Sequence, residues 1–200
     1  MTVRRPEEGH QMRSGLRESA VELLSSWQAP DAEQDSLRHS VLAFLDANPD
    51  ACRRRSAAGH ITASALVVNH DGSQALLTLH PRVGKWLQLG GHCEEEDPTI
   101  HAAALREATE ESGIDDLLLE PNLLGIHVHP ITCSLGLPTR HLDLQFLAHA
   151  PEDAQIAVSG ESLDLRWWPL DQIPGEHADS VHAVRDTVAG IWHVTGEPGL

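Results

Sequence analysis

Between Leu89 and Ile114 the chain reads LGGHCEEEDPTIHAAALREATEESGI, and this stretch constrains the fold more than any other. A glycine pair, Gly90-Gly91, permits a tight backbone path that a Cβ would resist. Asp97 followed by Pro98 reads as an N-cap with proline at the first helical position, and Gly113 suits the residue just past a helix C-terminus. The spacing therefore predicts a helix of about 15 residues, roughly four turns. On it Glu107, Glu110 and Glu111 fall at i, i+3 and i+4 and project from one side. Like charges so placed repel by a few tenths of a kcal/mol per pair. A hard divalent cation held by oxygen ligands is the natural way to offset that repulsion.

The rest of the chain supplies a setting. It has 14 Lys and Arg against 30 Asp and Glu, a formal net charge of −16. Such a balance excludes nonspecific binding to nucleic-acid polymers or anionic membranes, which depends on basic patches. An anionic substrate would need local cations, again pointing to metal. Cys52, Cys93 and Cys133 form no CxxC, no apolar run reaches the ~20 residues of a membrane span, and no signal-peptide pattern opens the chain. The expected setting is cytoplasmic.

Apolar residues at helical spacing (Leu16, Ala20, Leu23, Leu24, Trp27) predict a first helix ending before Pro30. Asp31 and Gln34 resemble a capping box opening a second helix, with Leu37, Val41, Phe44 and Leu45 as its stripe, ending at Asn48-Pro49. This helical hairpin must bury its stripes on the following domain or on a partner chain, so a homodimer or lid role is open. Residues 1–57 are expected to form this extension and residues 58–200 the main domain. Arg53-Arg54-Arg55 is the one basic run, read as a solvated linker rather than a phosphate contact. Strands are expected at 61–68, 74–79, 86–89, 123–131, 141–148 and 163–168, and a C-terminal helix carries Val181, Val184, Val188 and Ile191. In the strand after Arg140, Leu142, Leu144 and Phe146 alternate with His141, Asp143 and Gln145, giving one buried and one polar face.

Arg106 to Ile114, REATEESGI, resembles the REUxEExGU half of the Nudix box, where U is a bulky apolar residue; Ala108 is small for its position. Gly91 and Asp97 match the upstream half. The chain departs from the pattern in carrying Asp instead of Glu and in placing eight residues before Arg106, one more than usual. The resemblance spans the box closely and residues 60–175 loosely. It implies an α/β/α sandwich with a mixed sheet around the box helix, and a Mg²⁺-dependent (Mn²⁺ as substitute) hydrolase of a nucleoside diphosphate-linked or related small pyrophosphate. It further implies that Glu110 and Glu111 coordinate metal with the carbonyl of Gly90. Glu107 is then a further ligand or the base that activates water, and Arg106 orients the acids. An acid outside the box, Glu161, would complete the metal site or act as base, and Glu94 is the outer acid best placed to assist.

Other side chains are candidates for substrate contact. His80, Arg82 and Lys85 flank the loop before the box, and His92 follows the glycine pair, all suited to phosphate. His129, His141 and Asp143 are expected to line the pocket. Trp86 and Trp167 are read as packing before base stacking. Among fourteen histidines, His127, His129 and His141 with Cys133 also form a possible zinc set. Two rival functions stand beside hydrolysis: a Nudix-fold sensor without catalysis, and an isopentenyl diphosphate isomerase-like enzyme. The isomerase would require a catalytic cysteine with a metal-binding histidine cluster.

Overall fold

The fold is that of a computed structural model, which describes residues 15–82, 84–132, 136, 138–160, 162–173 and 181. Two helices come first, α1 (Leu16–Ser26) and α2 (Ala32–Ala47), as their apolar spacing demands. Asp31 caps α2 by accepting the Gln34 N–H at 2.8 Å, but the capping box is not reciprocal. The Gln34 side chain reaches the chain 92 residues on, accepting the Ile126 N–H at 2.8 Å and donating to its carbonyl at 3.1 Å. Helix α2 thereby satisfies a sheet edge that would otherwise present free backbone groups.

Among the described residues eight strands form one mixed sheet: β1 (His60–Val68), β2 (Gln74–Leu79), β3 (Trp86–Leu87), β4 (Leu89–His92), β5 (Leu118–Leu119), β6 (Gly125–Thr132), β7 (Pro138–His149) and β8 (Asp164–Pro169). Strand β1, buried along its whole length, lies at the centre, parallel to β7 and antiparallel to β2 and β4. Strand β7 starts at Pro138 rather than His141, so the loop expected over 132–140 gives way to longer pairing with β6. The two-residue β5 was not foreseen; it is too short to show a period of two.

The box helix, α3, runs Ile100–Ser112. Its cap is Thr99, whose Oγ1 accepts the Ala102 N–H at 3.1 Å, so Asp97 is not the cap the sequence suggested. Ser19 of α1 accepts the Ile100 N–H at 3.1 Å and so supplies a partner for another first-turn donor. At the other end Gly113 takes the left-handed conformation, φ 72°, as expected. Leu24 and Leu45 of the N-terminal helices pack in one cluster with Ile61, Ile100, Leu144 and Phe146. The apolar stripes of α1 and α2 are thus spent on the chain's own core.

The opposite sheet face is divided. Toward one end it is apolar, with Leu66, Val68, Leu77 and Leu147 clustered around Val181. Toward the other it is polar, because register aligns His60 with His141, Thr62 with Asp143 and Ser64 with Gln145. Of the expected C-terminal helix only Val181 lies within the described residues.

Candidate active site

Gly90 and Gly91 are the hinge between the two faces. A Cβ on Gly90 (φ 152°) would lie 2.4 Å from Cβ of Ser64 and 2.5 Å from its Cα, so strands β1 and β4 meet here only because no side chain intervenes. A Cβ on Gly91 would point the other way, 2.7 Å from a carboxylate oxygen of Glu107 on α3. The two glycines therefore admit a helix carboxylate to within contact of the strand backbone.

On α3 the three acids are held differently. Glu107 is 13% exposed and accepts from Arg106 Nη1 at 3.0 Å. Glu110, 59% exposed, accepts from the same nitrogen at 3.1 Å. Glu111 accepts the backbone N–H of Gly90 at 2.9 Å, which ties the helix to the glycine turn. Arg106 is the centre of this arrangement. Its Nε and Nη2 fork onto the two oxygens of Asp97, each at 2.9 Å, and Nη2 also donates to the His92 carbonyl at 3.0 Å. A planar guanidinium is suited to such a fork.

This geometry explains why Asp97 is not the cap. Its side chain is only 6% exposed and is committed to Arg106, and it also accepts the Glu94 N–H at 2.7 Å. Burial alone would raise its pKa; the Arg106 fork and the Glu94 N–H outweigh that and hold it below the usual carboxylate range. The Arg106 guanidinium is pushed further up by its bonds to Asp97, against the opposing effect of burial. An Asp one residue further from the arginine in sequence still reaches it, because Asp97 lies ahead of the Thr99 cap, outside the helix that carries Arg106.

The remaining nominated residues separate into two places. His80 and Lys85 sit in the β2–β3 turn, where the His80 N–H donates to the Lys85 carbonyl at 3.1 Å and Lys85 is exposed. His92, His129, His141 and Asp143 all lie on the polar sheet face. Asp143 is buried, accepting Thr62 Oγ1 at 2.9 Å and Ser64 Oγ at 2.6 Å, with Gln145 Nε2 at 3.2 Å. His127 and His129 pair with each other, Nδ1 to Nδ1 at 3.1 Å, while His141 turns toward His60 and His92. His129 also meets His141 edge-on, with ring centroids 5.2 Å apart, so His127, His129 and His141 form a continuous row, while Cys133 and Glu161 lie outside the described residues.

His60 is the residue that sequence reasoning missed. It opens β1 and is 1% exposed. Its ring centroid is 5.0 Å from that of His92 and 4.9 Å from that of His141, and the last two are 4.9 Å apart. Burial, with the Arg54 and Arg82 guanidiniums and the neighbouring His60 ring, pushes His92 down to about 4, and burial with the other rings pushes His141 down to about 3. His60 is also lowered, chiefly by burial. The cluster is therefore neutral at neutral pH.

Arg53 pairs with Glu95, and Arg55 with Asp50 at 2.8 Å, as a solvated linker would. A cavity of about 1100 Å³ lies between the start of α1, this linker and the acidic loop, with Asp97 in its wall. Trp86 is 9% exposed and packs edge-on against Trp168 at 5.1 Å, the packing role expected of it. The buried thiol of Cys52 is pushed up to about 12 by desolvation, and that of Cys93 is raised still further for the same reason.

A profile of the NUDIX domain matches residues 59–188. The chain belongs to the Nudix family. No curated protein sequence matches it. Solved structures with the same fold include a C. elegans Ap4A hydrolase in a binary complex, at 17% identity and TM-score 0.54, covering 67% of this chain and 98% of that one. The E. coli dihydroneopterin triphosphate pyrophosphohydrolase is similar at 21% identity and TM-score 0.52, covering 65% of this chain and 95% of its own. A Nudix hydrolase from M. smegmatis, RenU, aligns at 20% identity and TM-score 0.51, covering 70% and 89%. The Nudix match begins at Gly59, so α1 and α2 precede it while sharing the core of its sheet. Among the described residues no helix is long and apolar enough to cross a membrane.

Proposed function

We propose that this Nudix enzyme hydrolyses a phosphoanhydride bond in a nucleoside diphosphate-linked or related small pyrophosphate, using Mg²⁺ or Mn²⁺. The observation that carries the proposal is that Glu107 and Glu111 of α3 reach the Gly90-Gly91 turn while Arg106 bonds both Glu107 and Glu110 on the same helix. Fit to the ion rests on donor chemistry. Carboxylates on one helix face, beside a glycine carbonyl, form the all-oxygen set that hard cations take. Glu110, Glu111, Glu107 and the Gly90 carbonyl would hold the ion, and Glu161 is the acid assigned to complete the set. When bound, it neutralises charge on the diphosphate oxygens and acidifies water.

The chain's own residues divide the remaining work. Arg106 fixes Glu107 and Glu110 through Nη1 and is itself locked by Asp97, so the acids hold one geometry before substrate arrives. The Gly90 N–H orients Glu111. Glu107, or alternatively Glu161, takes a proton from water as its oxygen attacks phosphorus; the P–O bond to the bridging oxygen breaks, and the leaving phosphate carries the electron pair. No covalent nucleophile is needed. His80 and Lys85 in the β2–β3 turn are assigned to a distal phosphate, and His92, His129, His141 and Asp143 to the polar wall of the site. Free, buried Cys52 and Cys93 accord with a reducing, cytoplasmic setting, which we include in the proposal.

The test is a panel of nucleoside and non-nucleoside pyrophosphates with Mg²⁺ or Mn²⁺, read as phosphate release after a coupling phosphatase. Ap4A and dihydroneopterin triphosphate belong in it because two structural relatives are named for them. Metal-dependent turnover of at least one member is expected. Tight binding of one without turnover of any would favour a sensor. An isomerase would need an activated cysteine; burial pushes the Cys52 and Cys93 thiols up, and Cys133, the cysteine that reading would use, lies outside the described residues.

A further inference from the structure

We propose that His60, His92 and His141 form a second metal site, for a zinc-like divalent transition ion, on the sheet face turned away from α3. Three strands, distant in sequence, deliver the rings: β1 and β7 place His60 beside His141, and β4 places His92 opposite Thr62, two residues along the same face of β1. Their ligand nitrogens all lie within 4.8 Å of one another. His92 Nε2 and His60 Nε2 are 3.1 Å apart. Two imidazole nitrogens on a tetrahedral ion, each about 2.0–2.1 Å from it, stand about 3.3 Å apart. Small ring rotations therefore bring the trio to bonding distance.

The second observation is an orphan. His141 Nε2 is fully covered and has no hydrogen-bond partner among the described residues. A buried polar atom left in that state is costly, and most native structures avoid it. An ion at the centre of the trio supplies the partner this nitrogen lacks. Around the trio, His60 Nδ1 faces the Ser56 carbonyl at 3.5 Å. Contacts of this kind orient ligating imidazoles.

Donor chemistry sets the ion. An all-imidazole set selects zinc, cobalt, nickel or copper, whereas magnesium prefers oxygen. The two faces thus present different tastes, oxygen on the α3 side and nitrogen on the other. Three protein ligands leave one position for water or a small anion, the pattern of zinc sites that bind something beyond protein.

The experiment uses the full chain, prepared without metal-affinity resin and dialysed against a mild chelator. Metal analysis and a Co²⁺ titration followed in the visible are run on the wild type, H92Q, H141Q, H129Q and E111Q. We expect a single zinc ion retained or rebound per wild-type chain, with the intense visible bands of four-coordinate Co²⁺. Affinity falls about a hundredfold or more in H92Q and in H141Q, and holds in H129Q and E111Q. Absence of zinc and cobalt binding by the wild type overturns the proposal without any variant. Binding lost in E111Q but kept in H92Q and H141Q overturns it too, by moving the ion to the carboxylates. Circular dichroism establishes that each variant is folded. A zinc-dependent rise in Tm, expected in the wild type and absent in H92Q, gives a second readout should H141Q fail to fold.

Discussion

The two faces that meet at Leu89–His92 solve opposite electrostatic problems. On the α3 side formal charge is concentrated: Asp97, Glu107 and Glu110 all bond to Arg106, and Glu111 bonds to the Gly90 N–H. On the other side charge is suppressed, since burial and mutual proximity keep His60, His92 and His141 neutral. Arg106 touches both, donating to the carbonyl of the residue whose ring enters the histidine cluster. The difference teaches that one four-residue strand can present two unlike donor sets because its side chains alternate. If the faces are separate in function, damage to one should leave the other's metal behaviour intact.

The largest effect is expected from E111Q. A glutamine carbonyl still accepts the Gly90 N–H, so the glycine turn and helix survive. Loss of one anionic ligand to the proposed Mg²⁺ removes several kcal/mol of transition-state stabilisation, about a thousandfold in kcat. Zinc retention stays at the wild-type level. Turnover close to wild type would remove Glu111 from the site, and loss of zinc along with turnover would join the two faces into one.

That division also explains what could be seen in the sequence. The α3 face was legible because Arg106, Glu107, Glu110 and Glu111 lie within six residues, and helical periodicity alone places them together. Asp97 was misread as a cap because Asp and Thr share capping chemistry, and Thr99 two residues later took the position. Only the fold could show that Asp97 reaches Arg106. The histidine face was opaque for a stronger reason. His60, His92 and His141 are joined by strand register, and a shift of one residue would send each ring to the opposite side of the sheet. Alternation in β7 did reveal that His141 and Asp143 share a polar face, but nothing local named β1 as the neighbouring strand. The parallel β1–β7 pairing is a long-range fact, invisible to any window of sequence.

The adjacent glycines sharpen the comparison, because each guards a different face. G90A forces a Cβ into Ser64, 2.4 Å away, where the obstacle includes backbone and cannot swing aside. We expect a loss of about 3 kcal/mol in urea unfolding, in the range of overpacking in a closed space. G91A first meets the Glu107 carboxylate, at 2.7 Å, the movable end of a side chain. Stability should fall by less than about 1 kcal/mol, while displacement of Glu107 lowers kcat by about tenfold to a hundredfold. Equal stability losses in the two variants would show that Glu107 is as rigidly packed as the strand.

The test that isolates the charged face by pH is D97N. Asparagine keeps the shape of the side chain but gives Arg106 one carbonyl oxygen in place of a carboxylate fork. Charge-assisted hydrogen bonds of this kind contribute about 1.5–3 kcal/mol, and Arg106 retains Glu107, Glu110 and the His92 carbonyl, so a loss near the lower figure is expected. The sign with pH follows from the carboxyl being held below its unfolded value of 3.8. Its stabilising contribution is fully present above that value and is lost as pH falls through the lower, folded value. The gap between wild type and D97N in urea midpoints should therefore be constant near neutrality and close in acid. It should be followed down to the lowest pH at which the wild type still folds. A gap that stays open throughout would mean that Asp97 contributes through packing of the 94–97 turn rather than through its charge. In that case the order of the α3 face would come from the Gly90–Glu111 bond, and Arg106 would be a passenger in it.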